Sequence, residues 1–345
     1  MSVSQRIFLT GGSGYVGRNL IEAFTRRGCE VVALARSDAA AGVVEQRGAR
    51  AYRGELLDEA LAAGMQGCDV VLHAAADTDH VAGGERQRRI NVDGTRQVVR
   101  AAQQAGVTRL LLLSTESVLA TGRALVAVDE RAPLPRRAIG GYSRSKAAAE
   151  QIALAANGER LSVSVLRPRF VWGRDDTTAL PQLCEAVRSG QFAWISGGHY
   201  LTSTTHIANL CEAVLAALTH ARPGQVYFIA DQQPVQFRSF ITALLETQGI
   251  AVPERSAPRP LLWLLANAGD GLAAVSGGRL RGPLTRQQFA ASAVEVTLET
   301  SKARQELGYR DVITRQQGLD ELRVLRETPS HAGRGSTSVR GSGNG

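Results

Sequence analysis

Residues that can move protons lie close together in the stretch 110–150. The apolar run LLLL predicts a buried strand that delivers Ser114 and Thr115 to its carboxyl end. A helix is predicted to begin around Tyr142 and to carry Lys146 four residues further on. Side chains four residues apart lie on one helix face. A hydroxyl beside a tyrosine and a lysine indicates a proton-transfer site.

Residues 6–36 predict the unit that holds a second molecule against these side chains. The strand RIFLT, the turn GGSGYVG, a helix and the strand EVVALAR form a β-α-β unit. Gly11, Gly14 and Gly17 fall at the junction of strand and helix, where backbone amides can hold a pyrophosphate. Because all the elements of the unit are present, we interpret the glycines as a dinucleotide site rather than a structural turn.

The end of the second strand bears on the choice of cofactor. NAD sites carry an acid about 20 residues beyond the glycines, where it accepts from the ribose 2′-hydroxyl. Here the chain has Ala35, Arg36 and Ser37. A guanidinium suits a 2′-phosphate, so we predict NADP(H). The alternative is NAD(H), with Arg36 on the surface and Asp38 in the role of the acid.

With a nicotinamide cofactor, the proton-transfer residues could take part in hydride transfer to or from a substrate. A free tyrosine is a poor base at neutral pH, because its pKa is about 10. Lys146 is expected to lower the pKa of Tyr142 and to reach the cofactor's ribose. Thr115, with Ser114 as the alternative, would bond the reacting oxygen of the substrate. Tyr142 would exchange a proton with that oxygen while hydride moves between carbon and nicotinamide.

The alternation of strands and helices predicts the domain organisation. It continues to Pro168, where a strand ends, and then breaks down. We predict an α/β fold with a doubly wound parallel sheet of the Rossmann type and a smaller C-terminal substrate-binding region. The predicted ranges are 1–168 for the dinucleotide domain with a returning segment near 203–231, then 169–202 and 232–328 for the substrate-binding region, and 329–345 for a disordered tail.

Composition excludes several other classes of protein. The formal net charge of +8 comes mostly from scattered arginines, so no nucleic-acid partner is expected. Four distant cysteines form no metal pattern and fit a cytoplasmic protein, and we predict no metal site. No signal peptide and no membrane span is indicated, because the most apolar segment, 261–275, is too short. Peripheral membrane contact through 260–275 is not expected either.

The motifs together resemble the extended short-chain dehydrogenase/reductases of the NAD-dependent epimerase/dehydratase clan. TGGSGYVG, HAAA, NVDGT, STESV, YSRSK and LRPRFVWG occur in the order and spacing of that family, over roughly residues 6–325. The resemblance implies a catalytic triad of Thr115, Tyr142 and Lys146, and a homodimer. It also implies a cofactor site, which we assign to Gly11, Ser13, Gly14, Tyr15, Val16, Gly17, Arg36, Ser37, Glu55, Leu56, His73, Ala74, Ala75, Asn91, Tyr142, Lys146, Pro168 and Arg169.

Within the clan, the closing region PLTRQQ and ETSKARQELGYR is most similar to the 3β-hydroxysteroid dehydrogenase-like branch. The expected function is therefore an NADP(H)-dependent oxidoreductase that interconverts a secondary alcohol and a ketone on an apolar small molecule, steroid-, terpenoid- or polyketide-like. One alternative is a nucleotide-sugar epimerase or dehydratase with tightly bound NAD, since Glu116 follows Thr115 as an acid does in dehydratases. A non-catalytic dinucleotide-binding sensor is the other alternative.

Overall fold

The computed structural model describes residues 5–78, 84–275 and 284–327. The predicted tail at 329–345 lies outside them. The strands in chain order are β1 (Arg6–Thr10), β2 (Glu30–Ala35), β3 (Arg50–Arg53), β4 (Val70–His73), β5 (Arg109–Leu113), β6 (Leu125–Val128), β7 (Ser162–Pro168), β8 (Val171–Trp172), β9 (Trp194–Ile195), β10 (Leu201–Thr202), β11 (Thr205–His206), β12 (Val226–Ile229), β13 (Val235–Gln236), β14 (Ser256–Ala257) and β15 (Val296–Leu298).

Helices connect these strands. They are α1 (Tyr15–Arg26), α2 (Asp38–Gln46), α3 (Leu61–Met65), α4 (Gly84–Gln87), α5 (Gly94–Gln104), α6 (Gly141–Ala155), α7 (Ala179–Arg188), α8 (Ile207–His220), α9 (Phe237–Glu246), α10 (Arg259–Val275), α11 (Arg286–Ser292), α12 (Ser301–Glu306) and α13 (Arg315–Glu327). A π-turn covers Arg88–Asp93, and 3-10 turns cover Glu116–Leu119 and Ser196–Gly198.

A seven-stranded parallel sheet in the order β12-β7-β5-β4-β1-β2-β3 forms the centre of the molecule. Successive side chains of a strand point to opposite faces. Accordingly Ile7 and Leu9 pack with α1 and α8 on one face, and Phe8 packs with α3 and α5 on the other. Burial on both faces explains the nearly continuous apolar runs of the strands. The predicted doubly wound Rossmann fold is confirmed.

The sheet brings the predicted site together at one edge. All seven strands are parallel, so the carboxyl ends of β1, β4, β5 and β7 lie side by side. The strand predicted near 226–230 is β12, which pairs with β7 at the edge of this sheet. The predicted domain boundaries stay a prediction.

The chain before α5 differs from the sequence-based expectation of a helix that begins at Asn91. It is already helical at Gly84 and passes through the π-turn before α5 begins. The segment GERQRR has no apolar periodicity, so the pattern did not reveal it. A π-turn inserts an extra residue into the helical path and changes the direction of nearby side chains. Asn91 therefore lies inside this turn.

The C-terminal part packs over the carboxyl edge of the sheet. A four-stranded sheet in the order β13-β10-β15-β6 lies there, together with α10 and α11. The inner side of α10 packs Trp263 and Ala266 against Phe289 of α11. Its outer side exposes Leu261 and Leu264, which are 50% and 65% accessible. In the described part of the chain, no helix has the length and apolar character that a membrane span needs.

Candidate active site

The glycine turn between β1 and α1 is shaped by close backbone contacts. Gly11 has a φ of +78°, and a Cβ there would lie 2.7 Å from the amide nitrogen of Ala75. A Cβ on Gly17 would lie 2.1 Å from the carbonyl oxygen of Gly11. Only residues without a side chain let β1, α1 and the segment after β4 approach so closely.

The same turn fits a dinucleotide pyrophosphate. Gly14 caps α1 without a side-chain hydrogen bond, and the first turn of the helix contains no acid. The backbone amides at this helix start are thus directed at an exposed turn, where the helix dipole favours an anion. Ser13, Tyr15 and Val16 lie at this turn, as the sequence predicts.

His73 at the end of β4 binds protein atoms with both ring nitrogens. Thr95 donates to the carbonyl oxygen of Asn91 at 2.6 Å, so its hydroxyl accepts from His73 Nε2 at 3.0 Å. His73 Nδ1 then accepts from the Thr10 hydroxyl at 2.7 Å. Burial, and next the Lys146 ammonium, lower the pKa of His73 to about 3. The neutral His73 fixes β1, β4 and α5 relative to one another, and its ring has no free nitrogen for a cofactor.

Asn91 connects the segment after β4 to the helix of Tyr142. Its side-chain oxygen accepts from the amide of Asp77 at 2.7 Å. Its side-chain nitrogen donates to the carbonyl oxygen of Asp77 at 3.1 Å and to the hydroxyl of Ser145 at 2.9 Å. Ser145 in turn donates to the carbonyl oxygen of Tyr142 at 2.8 Å. The Asn91 amide thus orients α6 through protein contacts.

Thr115, Tyr142 and Lys146 meet at the carboxyl end of β5. Thr115 follows the strand directly, and Tyr142 lies in the first turn of α6. Burial raises the pKa of Tyr142 well above its usual value, the Glu116 carboxylate adds to the rise, and a hydrogen bond with Thr115 opposes it. The expectation that the Tyr142 pKa is lowered is therefore contrary to the structure.

Lys146 is buried one helical turn after Tyr142. Its ammonium donates to the carbonyl oxygen of Leu113 at 2.8 Å. Burial lowers its pKa to about 8, and the Glu150 carboxylate opposes this shift. Lys146 therefore carries its charge over most of the neutral range, close to the strand end where a cofactor's ribose is expected.

The two hydroxyls at the end of β5 have different partners. Ser114 donates to Glu150 at 2.8 Å, and Arg167 Nε also donates to that carboxylate at 3.0 Å. Thr115 instead lies beside Tyr142. The Ser114 hydroxyl is thus held in a buried ion-pair network, and the geometry favours Thr115 over Ser114 as the hydroxyl of the site.

A second buried ion pair lies directly beside Thr115. The Thr115 hydroxyl donates to Glu116 Oε2 at 2.8 Å, and Arg169 donates to Glu116 Oε1 at 2.5 Å. Arg169 also donates to Thr202 Oγ1 and to the carbonyl oxygen of Ala291, both at 3.1 Å. Arg169 was predicted to bind cofactor, whereas these contacts tie it to Glu116 and to the C-terminal part.

The other predicted cofactor residues lie along the carboxyl edge of the sheet. Arg36 follows β2 and is exposed, and the Ser37 hydroxyl accepts from the amide of Ala40 at 3.2 Å and caps α2. Glu55 and Leu56 follow β3, and the Leu56 side chain packs against Gly94. Ala74 and Ala75 follow β4, and Pro168 ends β7.

Sequence reasoning missed the ion pairs of the site. Arg167 and Glu150 were not singled out, and Glu116 was considered only as an acid of dehydratases. The sequence did contain a signal for these pairs, because the charged residue Arg167 interrupts the apolar run of a predicted buried strand. A charge at such a position needs a partner.

Comparisons with known proteins show the family of the chain. Residues 8–259 match the profile of the 3-beta hydroxysteroid dehydrogenase/isomerase family. The chain is 48% identical to a 4-hydroxy-2-methyl-3-oxo-4-farnesyl-3,4-dihydroquinoline-1-oxide ketoreductase of Stigmatella aurantiaca, over 92% of this chain and 96% of the relative. It is 30% identical to a decarboxylating sterol-4-alpha-carboxylate 3-dehydrogenase of Dictyostelium discoideum, over 92% and 100%.

Among solved structures, the fold is similar to that of a dTDP-glucose 4,6-dehydratase double mutant from Streptomyces venezuelae, with a TM-score of 0.74. The identity is 21%, over 94% of this chain and 98% of that one. At this identity the likeness concerns the fold alone.

Fold, site and relatives together define an NAD(P)-dependent oxidoreductase that acts on CH–OH groups, an extended short-chain dehydrogenase/reductase. Within that class, the chain belongs to the 3-beta hydroxysteroid dehydrogenase/isomerase family.

Because His73 is buried in its neutral form, we expect the free energy of unfolding to depend on pH. Its pKa of about 3 in the folded chain lies below the ordinary 6.5, so protons favour the unfolded chain as the pH falls below 6.5. Between pH 6.5 and pH 5 this residue should remove on the order of 2 kcal/mol from the free energy of unfolding. Urea unfolding of wild type and His73→Gln at pH 7 and pH 5 measures this.

The His73→Gln variant should lose less stability between these two pH values than wild type. His220→Gln, at an exposed position, is the matched control and should behave as wild type. An equal loss in His73→Gln and wild type would contradict the assigned neutral state.

Proposed function

We propose that the protein is an NADPH-dependent reductase that converts an apolar ketone to a secondary alcohol, with Tyr142 as the proton donor. The observation that carries the proposal is the hydrogen bond between Thr115 and Tyr142 at the strand end, with Lys146 buried one helical turn away. These three side chains lie at the sheet edge that also holds the glycine turn.

Each side chain of the site has its own role in the proposed reaction. A bound nicotinamide would supply the hydride that adds to the carbonyl carbon. Tyr142 donates its proton to the carbonyl oxygen, and Thr115 holds the phenol in position. Lys146 would supply a positive charge at the end of β5 and a donor for the ribose. Because its surroundings raise the pKa of Tyr142, the phenol keeps its proton at neutral pH, which suits reduction of a ketone.

Several observations support an apolar substrate. Ile195, Ala266, Phe289 and Ala293 form a buried cluster, with Trp263 packed against it. A Cβ on Gly122, in the segment after the 3-10 turn of Glu116–Leu119, would lie 3.5 Å from the Trp263 ring. This apolar wall therefore extends to the catalytic stretch. The ketoreductase relative from Stigmatella aurantiaca is named for a farnesylated substrate, which fits such a wall.

Arg36 and its surroundings support NADPH over NADH. Arg36 directly precedes Ser37, the N-cap of α2, so a guanidinium and a helix N-terminus are neighbours at the end of β2. Asp38, the acid considered for NAD, forms an ion pair with Arg53. This pairing reduces the repulsion that Asp38 would exert on a 2′-phosphate.

The epimerase and dehydratase alternative fits the site less well. A dehydratase needs an acid that can give a proton to its substrate. The Glu116 carboxylate instead accepts from Thr115 and is paired with the buried Arg169. The expected homodimer and the cytoplasmic location stay predictions.

Tyr142→Phe tests the proton donor. Without the phenol oxygen, ketone-dependent NADPH oxidation at 340 nm should fall about 100-fold or more, because general acid catalysis contributes at least that much. NADPH binding, measured by fluorescence titration, should persist. Tyr227→Phe, whose hydroxyl donates to Glu306 outside the candidate site, is the control and should keep wild-type turnover. Undiminished turnover in Tyr142→Phe would refute the assignment.

Arg36→Ala tests the cofactor. A charge-assisted bond to a phosphate contributes roughly 1.5–3 kcal/mol, so the Kd for NADPH should rise about 10- to 100-fold. The Kd for NADH should stay within about twofold, because it has no 2′-phosphate. Arg160→Ala removes an exposed arginine elsewhere and should change neither value. If Arg36→Ala binds NADPH as wild type does, the NADP preference is wrong.

A further inference from the structure

The helix that carries Tyr142 begins without a side-chain cap of its own. Gly140 is the N-cap residue of α6, it has no side chain, and no acid lies in the first turn. An N-cap side chain usually accepts from the backbone amide of the second or third helical residue, which has no partner within the helix. In α6 the third residue is Ser143, which directly follows Tyr142. A cap for this amide must therefore come from outside the helix.

Gln287 of α11 supplies this cap. Its side-chain oxygen accepts from the backbone amide of Ser143 at 3.3 Å and from the Ser143 hydroxyl at 3.1 Å. Its side-chain nitrogen donates to the same hydroxyl at 2.8 Å. Gln287 is 3% exposed and Ser143 is fully buried, so water does not compete for these bonds. A residue 144 positions further along the chain thus completes the first turn of α6.

The two glycines before Tyr142 make room for buried glutamines. Gly140 has a φ of +77°, and a Cβ there would collide with the side-chain oxygen of Gln287. A Cβ on Gly141 would collide with the side-chain oxygen of Gln87, which ends α4 and is also buried. The start of α6 is therefore enclosed by side chains from α4 and α11, and a larger residue at either glycine would displace them.

The helix α11 also contributes to the apolar wall proposed for the substrate. Phe289 packs on Trp263 with the ring centroids 5.1 Å apart. The carbonyl oxygen of Ala291 accepts from Arg169 at 3.1 Å. One helix thus carries both a part of this wall and the cap of the helix that begins at Tyr142.

We propose that Gln287 is a positioning residue, which caps α6 from α11 and so holds Tyr142 where its phenol can give a proton to the ketone. This inference rests on the proposed function. A proton donor must lie within hydrogen-bond distance of the reacting oxygen, and a displacement of about 1 Å can lower a rate roughly 100-fold. Because Ser143 adjoins Tyr142 in the chain, loss of its bonds would let the turn that carries the phenol fray.

Gln287→Met tests this role, because it removes both polar atoms and keeps a long, unbranched side chain. In the reduction of an apolar ketone by NADPH, kcat should fall about 10-fold or more. The KM for the ketone should stay within about twofold, because the apolar wall remains, and the Kd for NADPH should not change. A residue that only shaped the wall would raise KM instead.

Gln287→Glu tests whether the acceptor is what matters. A carboxylate can accept from both the amide and the hydroxyl of Ser143, and a negative charge is favourable at a helix N-terminus. This variant should therefore keep kcat within about threefold of wild type. Gln316→Met, which removes an exposed glutamine that bonds Asp320 on α13, is the matched control and should keep wild-type kcat.

The Tyr142→Phe background shows whether Gln287 acts through the phenol. If it does, adding Gln287→Met should change the residual turnover of Tyr142→Phe by less than about twofold, since residues that act as a unit have non-additive effects. Ser143→Ala removes the hydroxyl bonds and leaves the amide bond, so its kcat should fall about threefold. It carries the same comparison if Gln287→Met does not fold.

Wild-type kcat in a folded Gln287→Met would overturn the inference, as would an equal proportional loss in the wild-type and Tyr142→Phe backgrounds. A folded Gln287→Glu that is as slow as Gln287→Met would overturn it too. These results would leave the proposed function standing if Tyr142→Phe itself loses turnover. Failure of wild type to reduce any apolar ketone, or full activity of Tyr142→Phe, would instead refute the proposed function.

Discussion

Two buried ion pairs from arginines at the end of β7 hold the candidate active site in place. Arg167 and Arg169 are two residues apart at the end of β7, and they pair with Glu150 and Glu116. Burying a charge without its partner costs several kcal/mol, so each pair fixes the position of the element that carries its carboxylate. Glu150 belongs to α6 and Glu116 to the turn after β5. The two elements of the site are thus both tied to β7.

The same ion pairs give the two hydroxyls at the end of β5 different hydrogen-bond partners. Ser114 donates to Glu150 and Thr115 donates to Glu116. Adjacent residues of an extended chain point in opposite directions, so one hydroxyl is directed into the interior and the other toward the phenol. This arrangement explains why Thr115 is the hydroxyl that meets Tyr142.

Local patterns in the sequence were enough to predict the sheet, the glycine turn and the residues at the strand ends. Apolar runs and glycine spacing depend on neighbours along the chain, and parallel strands bring their carboxyl ends together whatever the details. The pairing of Arg169 with Glu116 depends on β7 lying next to β5 and could not be read from spacing. The direction of the Tyr142 pKa was missed for the same reason, because burial and the Glu116 carboxylate arise from tertiary packing. The π-turn that contains Asn91 left no apolar pattern to detect.

In the proposed reaction, Tyr142 gives a proton to a ketone oxygen while hydride passes directly from NADPH to the adjoining carbon. Mass spectrometry of the product formed with NADPH deuterated at the transferable position of the nicotinamide tests it most directly. With an apolar ketone such as a 3-oxosteroid or a prenylated cyclic ketone, the expected product is an alcohol with one deuterium on the carbinol carbon. NADPH consumption without that label in an alcohol product would contradict it.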